Sequence, residues 1–168
     1  MRSWDKGLEY EYVYARLTRL LSSRRVKTKC YSAVLLIQLR NGLRIGEAVE
    51  AFTKFIKTGK REFNIFVEKK RRPEERLVVV PPELDDQIRL SCIDLAQTNK
   101  RVLVNRIKNW CRGVLGFNTH SLRYAFITYL LRMGVNPSII AKITKHSKLD
   151  FILNYTQAKT ADLILRNM

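Results

Sequence analysis

The chain has 168 residues, enough for one domain with its own core and too few for two of ordinary size. Its 32 Lys and Arg against 15 Asp and Glu leave a formal net charge of +17, which calls for a polyanionic partner and points first to nucleic acid. No apolar run approaches the roughly 20 residues of a membrane-spanning helix, and the first residues lack the apolar stretch of a secretory signal, so no membrane partner and an intracellular, cytoplasmic place are expected.

Cys30, Cys92 and Cys111 lie far apart with no Cys-x-x-Cys spacing. They are expected to be small buried thiols in a reducing cytosol, forming neither a disulfide nor a zinc site. His120 and His146 are the only imidazoles and no paired carboxylates accompany them. A metal would find no ligand set, so metal: none and cofactors: none are the expectations.

In chain order, Leu8, Tyr12, Ala15 and Leu20-Leu21 recur at helical spacing with arginines between them, predicting an amphipathic entry helix that runs into a basic linker, over 8–25 in all. Residues 32 to 39 are apolar on nearly every side and predict a buried helix that stops at Asn41-Gly42. A further helix starts near Arg44, with Ile45, Ala48, Val49, Phe52, Phe55 and Ile56 as its apolar stripe. Phe63 to Val67 and Arg76 to Val80 are β-branched and aromatic runs around a charged turn with Pro73, hence a hairpin with a basic tip, Lys69 to Arg72. Two helices are expected over 83–97 and 100–114. Another carries His120 and Arg123 and ends at Gly134, with Asn118 or Thr119 as its cap. Asn136-Pro137 opens the next, which delivers His146 at its C-terminal end. Phe151 to Tyr155 and Ala161 to Leu165 are read as short helices.

The chemistry resides in an ordered set: Arg44 within Asn41-Gly42-Leu43-Arg44-Ile45-Gly46-Glu47-Ala48, His120-Ser121-Leu122-Arg123, His146 and Tyr155. His120 and Arg123 are spaced i, i+3 on one helical face and can address a single phosphate. Two imidazoles, guanidinium forks and a phenol are the groups needed to break a phosphodiester without a metal. Taken singly each residue is more simply a surface Arg, a core Tyr or a helix-terminal His. In combination, with 23 residues from Arg123 to His146 and 9 from His146 to Tyr155, the order and spacing resemble the catalytic domain of the tyrosine recombinase, or phage-integrase, family.

The resemblance covers about Thr28 to Tyr155. Its compact middle segment and heavy Lys and Arg usage are most like integrases of archaeal viruses or plasmids. It implies an α+β, mainly α-helical fold with a small antiparallel β-hairpin or three-stranded sheet: an entry helix, a core over 28–155 and a C-terminal tail over 156–168, with the family's N-terminal DNA-clamping domain absent. It further implies that Tyr155 attacks phosphorus to leave a 3′-phosphotyrosyl enzyme and a free 5′-hydroxyl. Arg44 and Arg123 would bind the non-bridging oxygens, His120 would accept the phenol proton and His146 would bond a phosphate oxygen. A lysine on the hairpin, Lys70 in preference to Lys69, would protonate the leaving oxygen. Glu47 would orient a catalytic group. The family often has Gly where Lys145 precedes the His.

Arg24, Arg25, Lys27, Lys29, Arg71 and Arg72 are read as surface that tracks the DNA backbone, giving affinity but little sequence information. The partners expected are double-stranded DNA attachment sites on a host chromosome and further copies of the chain, as a homotetramer on DNA or a monomer in isolation. Two other readings stay open at this point. One is type IB topoisomerase-like DNA relaxation, which shares the tyrosine attack. The other is a basic DNA-binding domain without catalysis.

Overall fold

The computed structural model describes residues 7–146, 161, 162 and 164–168. The expected helix at Phe151 to Tyr155, with Tyr155 itself, lies outside the described residues. Eight α-helices and one hairpin are seen in the continuous part: α1 (Tyr10–Leu20), α2 (Val26–Asn41), α3 (Ile45–Thr58), β1 (Glu62–Phe66), β2 (Glu75–Val79), α4 (Asp86–Ser91), α5 (Ile93–Ala96), α6 (Lys100–Trp110), α7 (His120–Arg132) and α8 (Pro137–Thr144). No helix among the described residues is long and apolar enough to cross a membrane.

Helix α2 is the axis of the domain. From Cys30 to Leu39 every side chain is buried, as its all-round apolar composition requires. Helices α1, α3 and α7 pack around it. Val13 and Leu17 supply the buried stripe of α1, and Tyr10 stacks on Tyr129 of α7 with ring centroids 4.2 Å apart. Gly42 ends α2 in the left-handed region, at φ 64°. An added Cβ there would stand 2.2 Å from the Phe126 ring, so the position tolerates only glycine on both backbone and steric grounds.

The antiparallel hairpin pairs Glu62 with Val79 through Phe66 with Glu75, and its alternation turns Phe63, Ile65, Arg76 and Val78 inward. No third strand joins it among the described residues. The side chain of Asn41 occupies part of that edge: its Oδ1 accepts the Val79 N–H at 2.9 Å and its Nδ2 donates to the Val79 carbonyl at 2.9 Å. A side-chain amide thereby reproduces a strand's pairing and ties the end of α2 to β2.

The entry helix ends at Leu20 and the basic segment that follows is not helical until Val26. The chain departs from sequence expectation at two places. The helix expected over 83–97 breaks at Cys92, whose backbone (φ −106°, ψ 6°) separates α4 from α5. The one expected over 100–114 widens into a π turn at Cys111–Leu115, closed by Gly116.

Cys30 and Cys92 form a disulfide, overturning the expectation of three free thiols. Their Cα atoms lie 5.7 Å apart across a sequence separation of 62, within bridging range. The bond joins the central helix to the α4–α5 break, a proximity that no local spacing encodes. Cys111 stays free and buried. Thiol titration in denaturant should find one reactive thiol before reduction and three after. Replacing Cys30 and Cys92 together by alanine should cost about 4 kcal/mol in a denaturant melt, the loop-closure value for a separation of 62.

Candidate active site

The site is assembled around the first turn of α3. Arg44 precedes this helix in extended backbone, and Glu47, three residues on, turns back so that Oε1 accepts the Arg44 backbone N–H at 2.9 Å. This is half of a capping box. The carboxylate is fully buried and holds more than the helix end. Its Oε2 accepts Arg44 Nη1 at 3.3 Å and the backbone N–H of Glu68 at 3.0 Å, while Oε1 lies 4.0 Å from Arg123 Nη1. Glu47 is therefore no surface ion-pair partner. It joins α3, α7 and the segment that leaves β1.

Arg123 is 1% exposed. Its Nη1 donates to the Gly42 carbonyl at 2.8 Å and its Nη2 to the Thr144 carbonyl at 2.8 Å, fastening α7 to the turns before α3 and after α8. Loss of hydration, followed by repulsion from Arg44, pushes its pKa down to about 9. At that value it remains a cation at neutral pH.

His146 follows α8 and sits within 3.4 Å of Arg123 Nη2, with Nδ1 2.6 Å from Thr144 Oγ1. The Thr144 hydroxyl donates to the Ile140 carbonyl at 2.8 Å. Its oxygen is left to accept, which assigns the imidazole proton to Nδ1 and the lone pair to Nε2.

His120 opens α7, and its backbone N–H is held by Asn118 Oδ1 at 3.1 Å, so Asn118 rather than Thr119 supplies the side-chain cap. Both imidazoles are pushed far down, His120 to about 4 and His146 to about 3, by burial first and by Arg123 and Arg44 next. Both are neutral at physiological pH and can accept a proton.

Between α3, α6, α7 and the hairpin arm lies an open cleft of about 840 Å³, lined by Arg44, Lys69, Lys100, Arg101, Lys108 and His120 among others. Lys69 lines it directly, with its backbone in the left-handed region at φ 60°. Lys70 instead pairs with Glu74 at 3.5 Å. Gly46 lets the arm approach, since a Cβ there would fall 2.0 Å from Glu68 Oε1. Arg71 and Arg72 are exposed on the arm. Arg24, Arg25 and Lys27 are exposed and Lys29 half-buried at the α1–α2 junction, and none of the four lines the cleft.

Two groups of residues escaped sequence reasoning. Lys100, Arg101, Asn105 and Lys108 form the far wall of the cleft. Their signal was present as a polar stripe at helical spacing opposite Leu103 and Ile107. Arg76 had no such signal. It sits where an inward strand residue should be apolar, is 4% exposed, donates to the Asn41 carbonyl, and leaves Nε and Nη1 without acceptors. Burial pushes its pKa down to about 10, against the pull of Glu47.

No family profile and no solved structure matches the chain. Over 170 residues it is 36% identical to "Putative integrase ORF241" of Acidianus two-tailed virus, a match that spans 99% of this chain and 69% of the viral protein. The chain belongs to this integrase family. It is also 32% identical over 201 residues to "Uncharacterized protein MJ0770" of Methanocaldococcus jannaschii, covering 99% of the chain and 89% of that protein. A third relative is "Putative integrase V10" of Sputnik virophage, 28% identical over 206 residues, covering 97% of the chain and 89% of the virophage protein.

The two depressed imidazoles give this integrase a signed pH dependence. An unfolded imidazole takes up its proton near 6.5, the folded ones only near 4 and 3, so the unfolded state binds more protons throughout that window. Stability contributed by the neutral rings is complete above pH 6.5 and is lost as pH falls, toward 4 for His120 and toward 3 for His146. Thermal melts of the parent and of His120→Gln should run parallel above that point. Below it, the variant should gain on the parent.

Proposed function

We propose that this integrase is a site-specific DNA recombinase that cuts and rejoins DNA through a phosphotyrosine at Tyr155, integrating or excising a mobile element. The observation that carries the reading is the clustering of Arg44 and Arg123 around the buried carboxylate of Glu47, with His146 against Arg123, beside a basic cleft that Arg44 and His120 line. The integrase names of the viral and virophage relatives support it at the level of DNA integration.

In this mechanism the scissile phosphate enters beside Arg44 and Arg123, whose guanidiniums neutralise the charge that builds on the equatorial oxygens. A phenol of ordinary pKa, about 10, is protonated at neutral pH, so attack by Tyr155 calls for a proton acceptor. Neutral His120 takes that proton as the phenolic oxygen bonds to phosphorus. The bond from phosphorus to the 5′ oxygen breaks, and that oxygen leaves with a proton from a lysine of the arm. The 3′-phosphotyrosyl ester keeps the bond energy, and attack by the 5′-hydroxyl of a second strand reverses the sequence. His146 with its proton on Nδ1 presents a lone pair, whereas a phosphate oxygen needs a donor. Bonding the phosphate therefore requires protonation or a change of tautomer at His146, which the arriving anion favours.

Lys69, rather than Lys70, is the better placed proton donor: it lines the cleft, while Lys70 is engaged with Glu74. Arg24, Arg25, Lys27, Lys29, Arg71 and Arg72 would track the duplex beyond the cleft. Assembly on DNA as a homotetramer is part of the proposal. It is supported by the exposed Ile164, Leu165 and Met168 of the tail and by the apolar Leu77, Ile139 and Ile143 exposed beside β2 and α8.

The deciding experiment is incubation, in EDTA, with a nicked duplex that loses its 5′-hydroxyl fragment on cleavage. A denaturant-resistant protein–DNA adduct should form with the parent and vanish with Tyr155→Phe. Salt-sensitive binding without any adduct would sink the mechanism in favour of a DNA-binding domain, and relaxation of plasmids without site preference would favour a topoisomerase. A leaving-group test distinguishes the lysines. Lys69→Ala should lower the adduct rate by about 100-fold or more, the usual scale of general acid catalysis, and a 5′-bridging phosphorothioate, which leaves without a proton, should restore it. Lys70→Ala should gain nothing from the sulfur.

A further inference from the structure

Lys145 ends α8 in the left-handed region, at φ 59° and ψ 36°, its backbone N–H closing on the Ala141 carbonyl. Glycine adopts this conformation freely, whereas an L side chain there is strained. What the lysine gains is an ion pair: Nζ lies 3.2 Å from Glu74 Oε1, across the gap between the turn after α8 and the hairpin. The side chains are 28% and 40% exposed, and pairs so open to solvent contribute little to stability. The pair thus offsets the backbone cost at best. Fold stability does not explain a lysine at this position.

The location does. Glu74 stands at the base of the arm, its carbonyl accepting the Val67 N–H at 2.8 Å, and its Oε2 holds Lys70 at 3.5 Å. The arm between Val67 and Glu74 carries both hairpin lysines. The turn on the other side carries the Thr144 carbonyl that holds Arg123 and the hydroxyl that holds His146. The arm's opposite flank is fixed separately, by Glu68 to Lys100 at 3.3 Å and by the Glu68 N–H to Glu47. Without the Glu74–Lys145 pair, the side of the arm facing His146 would lose the ion pair that ties it to the turn.

We propose that Glu74 and Lys145 form a latch that sets the distance between the hairpin lysines and the Arg123–Thr144–His146 turn. Both are positioning residues for phosphoryl transfer, a role that rests on the recombinase reading above. Neither acts on the phosphate. The latch trades backbone comfort at Lys145 for registration of two catalytic segments that have no covalent connection nearby.

Four variants of the full chain test it: Lys145→Gly, Lys145→Arg, Glu74→Gln and the Glu74→Gln/Lys145→Gly double. Lys145→Gly should melt at or above the parent temperature, because the left-handed strain is removed. Its adduct rate at saturating nicked duplex should nevertheless fall about tenfold. Glu74→Gln should bind DNA at least as tightly as the parent, having lost a negative charge, and show the same rate loss. Lys145→Arg should restore the rate, and the double variant should be no slower than either single. Amide exchange at Val67 and along the arm should quicken in Lys145→Gly and not in Lys145→Arg. An unchanged rate with unchanged arm exchange in Lys145→Gly, or rate losses that multiply in the double variant, overturns the latch. A parent that forms no Tyr155-dependent adduct overturns the recombinase reading instead, and arm exchange then decides the latch by itself.

Discussion

Three guanidiniums, those of Arg44, Arg76 and Arg123, stand around one buried carboxylate, that of Glu47. Taking a carboxylate out of water costs several kcal/mol unless donors replace the lost hydration, and here two backbone amides and a guanidinium do so. Those donors come from the start of α3 and the root of the hairpin arm, and Arg123 faces the carboxylate from α7. The hydration of Glu47 can be replaced only when these elements meet correctly, so one desolvated charge fixes the geometry of the whole cleft. Exchange of Glu47 for an apolar residue would leave Arg123 buried without a counter-charge.

The same cluster is unbalanced by design of its residues: one negative charge faces three positive ones. Burial is the larger cause that holds both imidazoles neutral and lowers the Arg123 pKa, and the excess of positive charge adds to it. An anion entering the cleft would offset the charge part of these effects, since it relieves the repulsion among the cations and favours protonated imidazole. The charge balance of the site therefore suits an anionic ligand. The wider basic surface, exposed to solvent and screened by salt, supplies attraction without that local consequence.

What could be read from the sequence follows the range of the interaction. Gly42 through Glu47 is a local unit, a left-handed stop followed by a cap, and its pattern survives in six consecutive letters. The i, i+3 pair of His120 and Arg123 and the Asn136-Pro137 start of α8 are local too. The hairpin was legible from its β-branched runs. The Cys30–Cys92 bond joins residues 62 apart with no flanking signature, and the break it sits beside lies inside a plausible helical stripe. Arg76 looks like any strand arginine until tertiary packing closes over it. Lys69 and Lys70 are adjacent letters of one charged turn, and only the folded arm separates them, with Lys69 lining the cleft and Lys70 paired with Glu74.

The amide of Asn41 has one more consequence, for what this protein avoids. A two-stranded ribbon exposes unpaired amides and carbonyls on both sides, and such edges invite pairing with other copies. Because Asn41 engages both backbone groups of Val79 from the end of the central helix, the free side of β2 is closed at its root. At the far end of the ribbon the arm departs between charged residues. The strand edge nearest the core, where disordered self-association would otherwise start, is thereby shielded.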